Sequence, residues 1–192
     1  MMLYSRALLL LILLVVRQPA HAAADQAGNQ PGNQLSNQLS KTIDQVKPSV
    51  VGIGNFDQAR VPALSFTGTG FVIGDGLTVI SAAHVINGLQ ASGRGAPLGV
   101  LVRDGETVRF RNASVVAMDL EHDLARLRIK GTPLPALRLG DAQAVREGQS
   151  LAFMGFPLGM VLGLHHATHR CTVSAITPLA APANSGLPLL PG

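Results

Sequence analysis

The chain has 192 residues, of which 47% are hydrophobic and 14% charged, so it can bury a core and is neither disordered nor fibrous in its bulk. The formal net charge is +4, and loss of Arg6 and Arg17 with a leader would leave 13 basic and 11 acidic residues. This balance gives no support to nucleic-acid binding. Cys171 is the single cysteine, which excludes an intramolecular disulfide.

The first 22 residues have the form of a secretory signal peptide. Arg6 precedes an unbroken apolar run over residues 7–16, and Ala20-His21-Ala22 matches an A-x-A cleavage site. Ten apolar residues are too few to span a bilayer. We therefore predict a periplasmic or secreted protein with no stable membrane insertion after cleavage, an uncleaved N-terminal anchor being the alternative.

Residues 23–40 predict a low-complexity linker, because they are polar and repeat the pair Asn-Gln three times. Apolar residues then recur at helical spacing up to a proline, at Leu35, Leu39, Ile43, Val46 and Pro48. This pattern predicts a short amphipathic helix that leads into a domain over residues 41–135.

Short β-branched runs separated by turn residues follow, and they predict six strands over residues 49–53, 67–73, 78–81, 99–102, 107–118 and 124–129. Asp104-Gly105 marks a hairpin between two of these runs. No helical segment is expected among them. The class is all-β, and the pattern fits a closed antiparallel barrel or a sandwich, of which we predict the barrel.

A second β unit is predicted over residues 136–192. Its strand patterns cover residues 136–139, 149–154 and 166–176, after a Pro-containing linker at 131–135. Beyond Thr177, four prolines in a stretch of Ala, Leu and Gly are incompatible with a paired central strand. We therefore expect this second barrel to be incomplete.

Two residues predict acid–base chemistry. His84 follows a β-branched strand and small residues, and Asp123 stands at the mouth of an alternating strand, 39 positions later. A histidine can take a proton from a nucleophile when a carboxylate holds its other ring nitrogen. Asp119 and Glu121 compete for that place, but they precede the alternating run and are expected in a solvated turn.

Five short motifs occur in one order. They are Gly68-Thr69-Gly70-Phe71-Val72-Ile73, Ala83-His84-Val85, Asp123-Leu124-Ala125, Leu139-Gly140-Asp141 and Gly155-Phe156-Pro157-Leu158-Gly159. Together they resemble the HtrA (DegP-like) branch of trypsin-like serine proteases, over residues 41–176. The lack of cysteine pairs also fits this bacterial branch.

The resemblance implies a chymotrypsin-type double β-barrel whose cleft hydrolyses protein or peptide substrates without a cofactor. It implies His84 as general base and Asp123 as the group that fixes its tautomer. The serine and the oxyanion hole should come from a Gly-Asn-Ser-Gly-Gly type loop of the second barrel.

That loop is not found in the sequence. Ser185 in Ala183-Asn184-Ser185-Gly186 is only a weak candidate, because flanking glycines are missing and ten residues separate it from Ala175, too few for the loop and strand expected there. We therefore expect a C-terminally truncated family member that is inactive as it stands. The alternative is a catalytically dead trypsin-like module that binds extended peptides by strand addition.

Histidine and cysteine side chains outside this pair offer three further candidates for chemistry. His165, His166 and His169 could suggest a metal site, but neighbouring residues of a strand face opposite ways, and no metal is expected. Cys171 lacks a glycine-rich loop for an oxyanion hole and is expected to be a packed side chain. His122 is expected to be solvated.

Overall fold

The computed structural model describes residues 13–14, 31–59, 61, 63–92, 95–105, 107–156 and 164–177. The predicted signal peptide, apart from residues 13 and 14, lies outside the described residues, as do Ser185 and the proline-rich stretch after Thr177.

The elements, in chain order, are β1 (Leu13–Leu14), α1 (Pro31–Val46), β2 (Val50–Phe56), β3 (Leu64–Ile73), β4 (Thr78–Ala82), α2 (Ala83–Ser92), β5 (Leu98–Asp104), β6 (Thr107–Asp119), β7 (Leu124–Ile129), β8 (Ser150–Gly155) and β9 (Ala167–Thr172). Single 3-10 turns cover Lys47–Ser49 and Ala142–Ala144. Among the residues described, neither helix combines the length and the apolar content needed to cross a membrane.

Six strands form a closed antiparallel barrel in the order β2-β3-β4-β7-β6-β5. The sheet closes where Gly52 and Ile53 of β2 pair with Leu101 and Val100 of β5. In β7 every second side chain is buried in the barrel core and the others are exposed, as expected for a strand with one buried face. The prediction of an all-β protein with a closed first barrel is confirmed.

Leu127 lies in the centre of the barrel and is fully buried. Replacing it with alanine is expected to lower the free energy of unfolding by about 2–5 kcal/mol, since a cavity would replace the lost methyl groups. Urea unfolding of the 192-residue chain measures this. The matched control is Arg126→Ala on the exposed face of the same strand, which should stay within about 0.5 kcal/mol of the parent. Equal losses for the two variants would contradict the packing.

The expectation of no helix among the six strands is wrong. Helix α2 has ten residues and connects β4 to β5. It forms because Val85, Ile86 and Leu89 fall at helical spacing and all three are buried against the barrel core. Helix α2 thereby packs against β2, β3, β4 and β7.

Helix α1 begins earlier than predicted, so that residues 31–40 of the expected linker are helical. Pro31 is its first residue, a position where the missing N–H costs no hydrogen bond. The face that packs on the protein includes half-buried Leu39 and Ile43 and buried Val46. Burial of this face compensates for the modest helix propensity of the polar residues.

The strand predicted over residues 136–139 is also absent. Leu137 makes one isolated parallel bridge with Ile73, and its N–H donates to the carbonyl of Val72 at 2.8 Å. Pro135 has no N–H to continue a ladder, and Leu139 is largely exposed. The segment therefore passes along the barrel as irregular chain.

Strands β8 and β9 form an antiparallel hairpin in a three-stranded sheet of order β1-β8-β9. Leu13 and Leu14 of β1 pair with Phe153 and Ala152. The described part of the second unit thus contains no closed barrel, in agreement with the expected incomplete second barrel. The domain boundaries themselves stay predictions.

The hairpin packs on the barrel through an apolar cluster that we call the junction: Val46, Val50, Phe66, Leu101, Met154, Phe156 and Leu164. Phe66 and Phe156 meet edge to face, with ring centroids 5.4 Å apart. The N–H of Phe156 also donates to the hydroxyl of Thr69 at 3.0 Å. The junction therefore fixes the hairpin against β2, β3 and β5.

Candidate active site

Neighbouring strands bring His84 and Asp123 together. His84 is the second residue of α2, directly after β4, and Asp123 ends the turn before β7. Strands β4 and β7 pair with Ala82 opposite Leu124. His84 comes two residues after the paired Ala82, and Asp123 comes one residue before the paired Leu124. Both therefore lie at the same end of the barrel.

The carboxylate of Asp123 holds both the ring and the backbone of His84. Its Oδ2 lies 2.5 Å from Nδ1 of the imidazole, and its Oδ1 accepts the backbone N–H of His84 at 2.8 Å. The carbonyl of Asp123 accepts the N–H of Ala83 at 3.1 Å. These bonds satisfy two donors in the first turn of α2, which have no partners within the helix.

The predicted position of His84 needs one correction. The imidazole stands in the first turn of a helix and not at a free strand end. An acid capping this turn from 39 residues away is a feature that the sequence analysis missed, because no local motif signals such a contact.

Asp123 adopts a left-handed backbone conformation, with φ of 54°. It is the only such non-glycine residue in the described part of the chain. Asp and Asn are the side chains that tolerate this region best. The conformation turns the chain so that both the carbonyl and the carboxylate of Asp123 face the start of α2.

The arrangement leaves one ring nitrogen for chemistry. With Nδ1–H donated to the carboxylate, Nε2 of a neutral His84 is an acceptor. The side chain of His84 is 29% exposed and that of Asp123 is 17% exposed, so the imidazole is open to a ligand while the acid is sheltered. Among the residues described, no serine hydroxyl is hydrogen-bonded to His84.

The competing acids do not contact His84. Asp119 instead bonds to His122, with its Oδ2 2.8 Å from Nδ1 and its Oδ1 accepting the backbone N–H at 3.0 Å. Both side chains are exposed, as is Glu121. The predicted solvent exposure agrees with the structure, but of the two acids only Glu121 lies in the turn, since Asp119 is the last residue of β6. The sequence analysis missed this pair, although an acid three residues before a histidine was a signal for it.

This second pair perturbs two pKa values. The backbone N–H and then the imidazole of His122 lower the pKa of Asp119. The Asp119 carboxylate raises the pKa of His122 above 6.5. We expect Asp119→Asn to return the pKa of His122 towards its ordinary value, because the anionic partner is lost.

Histidine titration by NMR measures that change. Since the pKa of His122 is raised and that of Asp119 is lowered in the folded chain, the pair stabilises the fold fully between pH 3.8 and pH 6.5. It loses this contribution as pH rises through the folded pKa of His122 or falls through that of Asp119. Glu121→Gln is the matched control, because Glu121 acts on His122 only through space. An unchanged His122 titration in Asp119→Asn would contradict the assignment.

The other three histidines in the described part of the chain each have a different neighbour. In order, His165, His166 and His169 contact Arg103, the carbonyl of Val50 and the ring of Phe153. The described residues include no cluster of three or more His, Cys, Asp or Glu side chains suited to a metal ion. Cys171 is a free, half-buried cysteine in β9, opposite Leu151.

Residues 68–187 match the family described as "Trypsin-like peptidase domain". This stretch is more than half of the chain, and the chain belongs to that family. Within the family it is HtrA-like, as its curated relatives indicate.

Three comparisons illustrate the likeness. The chain is 31% identical over 109 residues to the "Probable periplasmic serine endoprotease DegP-like" of Halomonas elongata. The matched stretch covers 57% of this chain and 20% of that protein. The crystal structure of Deg5 superposes with a TM-score of 0.62 at 24% identity, covering 78% of this chain and 68% of that one. AlgW, an HtrA-type protease solved as a serine-to-alanine variant with a tripeptide, gives a TM-score of 0.53 at 24% identity, with coverages of 71% and 39%.

The two structural likenesses support the fold alone. The chain spans only a fifth of the length of the DegP-like relative. The family match and the relatives place this chain in a serine protease family.

Proposed function

We propose that the protein is an HtrA-like serine endopeptidase that cleaves protein or peptide substrates in the periplasm or outside the cell. The observation that supports it is the bond between Nδ1 of His84 and the carboxylate of Asp123, with Nε2 left as the acceptor. Family membership supplies the reaction class, and the leader-like residues 1–22 motivate the location.

In this mechanism Nε2 of His84 takes the proton of a serine hydroxyl as the oxygen attacks the substrate carbonyl. Asp123 keeps the imidazole in the correct tautomer and stabilises the imidazolium that forms. His84 then gives the proton to the leaving amine, and the acyl group stays on the serine oxygen as an ester. Next, His84 takes a proton from a water molecule as that water attacks the ester, and the proton passes to the serine oxygen when the acid is released. These steps need only side chains and backbone N–H donors.

We further propose that the 192-residue chain alone is inactive. The described residues bring no serine to His84, and Ser185 lacks the flanking glycines of an oxyanion loop. Without nucleophile and oxyanion hole, His84 and Asp123 give no useful rate enhancement, because the members of a triad act as a unit. In a longer product, the nucleophile would come from a Gly-Asn-Ser-Gly type loop.

A fluorophosphonate probe tests the inactivity directly. We expect no labelling of the 192-residue chain and no casein hydrolysis above background. Labelling that disappears in Ser185→Ala but persists in the control Ser174→Ala would identify Ser185 as the nucleophile and overturn this part of the proposal.

Reading the gene downstream tests the protease assignment itself. We expect a strand followed by a Gly-Asn-Ser-Gly motif, and fluorophosphonate labelling of that longer product that depends on His84. A longer product that binds extended peptides but neither reacts with the probe nor cleaves them would instead support the peptide-binding module. The open Nε2 of His84 is compatible with that alternative.

A further inference from the structure

We propose that His166 forms a pH-sensitive contact between the barrel and the β8–β9 hairpin. The contact is intact while the imidazole is neutral and is weakened when the imidazole is protonated. This role concerns a histidine outside the His84–Asp123 pair and does not depend on peptide hydrolysis.

The position of His166 makes it a link. It directly precedes β9, and its Nε2–H donates to the carbonyl of Val50, the first residue of β2, at 3.0 Å. The ring also lies against Phe156, with centroids 4.5 Å apart. The hydrogen bond to Val50 thus joins the hairpin to the barrel, while the ring contact packs His166 on Phe156, which follows β8 and lies in the junction.

The neighbouring segment is attached at the same place. Leu164 is buried against β2, where a Cβ on Gly52 would lie 2.7 Å from its Cδ1. Arg103 of β5 donates to the carbonyl of Leu164 at 3.4 Å and contacts the ring of His165 at 3.2 Å. Residues 164–166 are therefore one of the segments through which the second unit contacts the barrel.

The surroundings oppose a positive charge on His166. Burial is the main cause that lowers its pKa below 6.5, and the nearby Lys47, Arg103 and His165 lower it further, against the opposing effect of the Val50 carbonyl. The charged groups that face it are all basic, and no described carboxylate is paired with it. A protonated ring would also carry a second N–H, at Nδ1, to which no acceptor among the described residues is hydrogen-bonded.

The direction of the pH effect follows. Because the pKa of His166 is lowered in the folded chain, its contribution is complete above pH 6.5 and is lost as pH falls through the folded pKa. Protonation places a charge among like charges in a half-buried site. Acidification should therefore loosen the contact of residues 164–166 with β2 and leave the barrel closed.

Amide hydrogen exchange of the 192-residue chain, corrected for its intrinsic pH dependence, provides the test. Between pH 7.5 and 5, about the range in which histidine changes charge, we expect exchange in β9 to become severalfold faster, with β7 unchanged. In His166→Gln the amide can still donate to Val50 but cannot titrate, so the acceleration should be lost. His169→Gln is the matched control, since this exposed histidine in the same hairpin stacks on Phe153 and should behave like the parent.

Two results would overturn the proposal. One is an equal acceleration in His166→Gln and in the parent. The other is an NMR titration in which the His166 ring of the parent chain protonates at or above its ordinary value, a measurement that remains decisive even if the variant fails to fold. Neither depends on a nucleophile, so failure here is distinct from failure of the protease proposal.

Discussion

Replacing Asp123 by asparagine is expected to lower kcat about 10⁴-fold in the longer product that carries the proposed serine. Asparagine tolerates the left-handed backbone of residue 123, and its amide oxygen can still accept the backbone N–H of His84. The amide nitrogen then faces Nδ1, which must become an acceptor. The ring proton moves to Nε2, and the imidazole can no longer take a proton from the serine.

Peptide hydrolysis by the parent and the variant measures this loss. Asp119→Asn is the matched control, because it removes an exposed acid from the same turn without touching His84, and its kcat should be unchanged. Equal activity of parent and Asp123→Asn would remove Asp123 from the mechanism. A similar loss in both asparagine variants would show that the turn is disturbed and not the tautomer.

The barrel could be predicted from the sequence because its signal is local and repeated. Strand β7 alternates buried and exposed residues along its whole length, and Asp104-Gly105 marks the turn between β5 and β6. Patterns of period two identify half-buried strands reliably enough to count them. Closure did not follow from these patterns, because the same six strands could also form a sandwich, and it is the pairing of β2 with β5 that closes the sheet.

Helix α2 escaped prediction for a physical reason. Its buried residues Val85 and Ile86 are adjacent and β-branched, so they suggest a strand as readily as a helix, and Gly88 interrupts the pattern. What stabilises the helix is tertiary: burial of one face against the barrel and two hydrogen bonds that Asp123 accepts from backbone N–H groups of its first turn. Neither contribution can be read from a window of ten residues.

The pairing of His84 with Asp123 was predictable as chemistry but not as geometry. Two motifs 39 residues apart identified the residues. The left-handed φ of Asp123 and its bond to the backbone N–H of His84 arise from the register of β4 against β7. That register depends on strand pairing that sequence patterns leave open.

The second large effect is expected for His84→Ala, which should lower kcat by about 10⁴- to 10⁶-fold in the same longer product, since the variant loses the proposed general base. His122→Ala is the matched control, because His122 is an exposed imidazole that contacts Asp119 and not the proposed site. Its kcat should match the parent. Fluorophosphonate labelling should fall in parallel with hydrolysis in His84→Ala.

The double variant His84→Ala with Asp123→Asn gives the sharpest test. If Asp123 acts only through the imidazole, its replacement has nothing left to impair once His84 is gone, and the double variant should be no slower than His84→Ala alone. Multiplying losses would mean that the two side chains act independently. In that case the 2.5 Å contact between them would be structural, and the assignment of this pair as general base and orienting acid would fail.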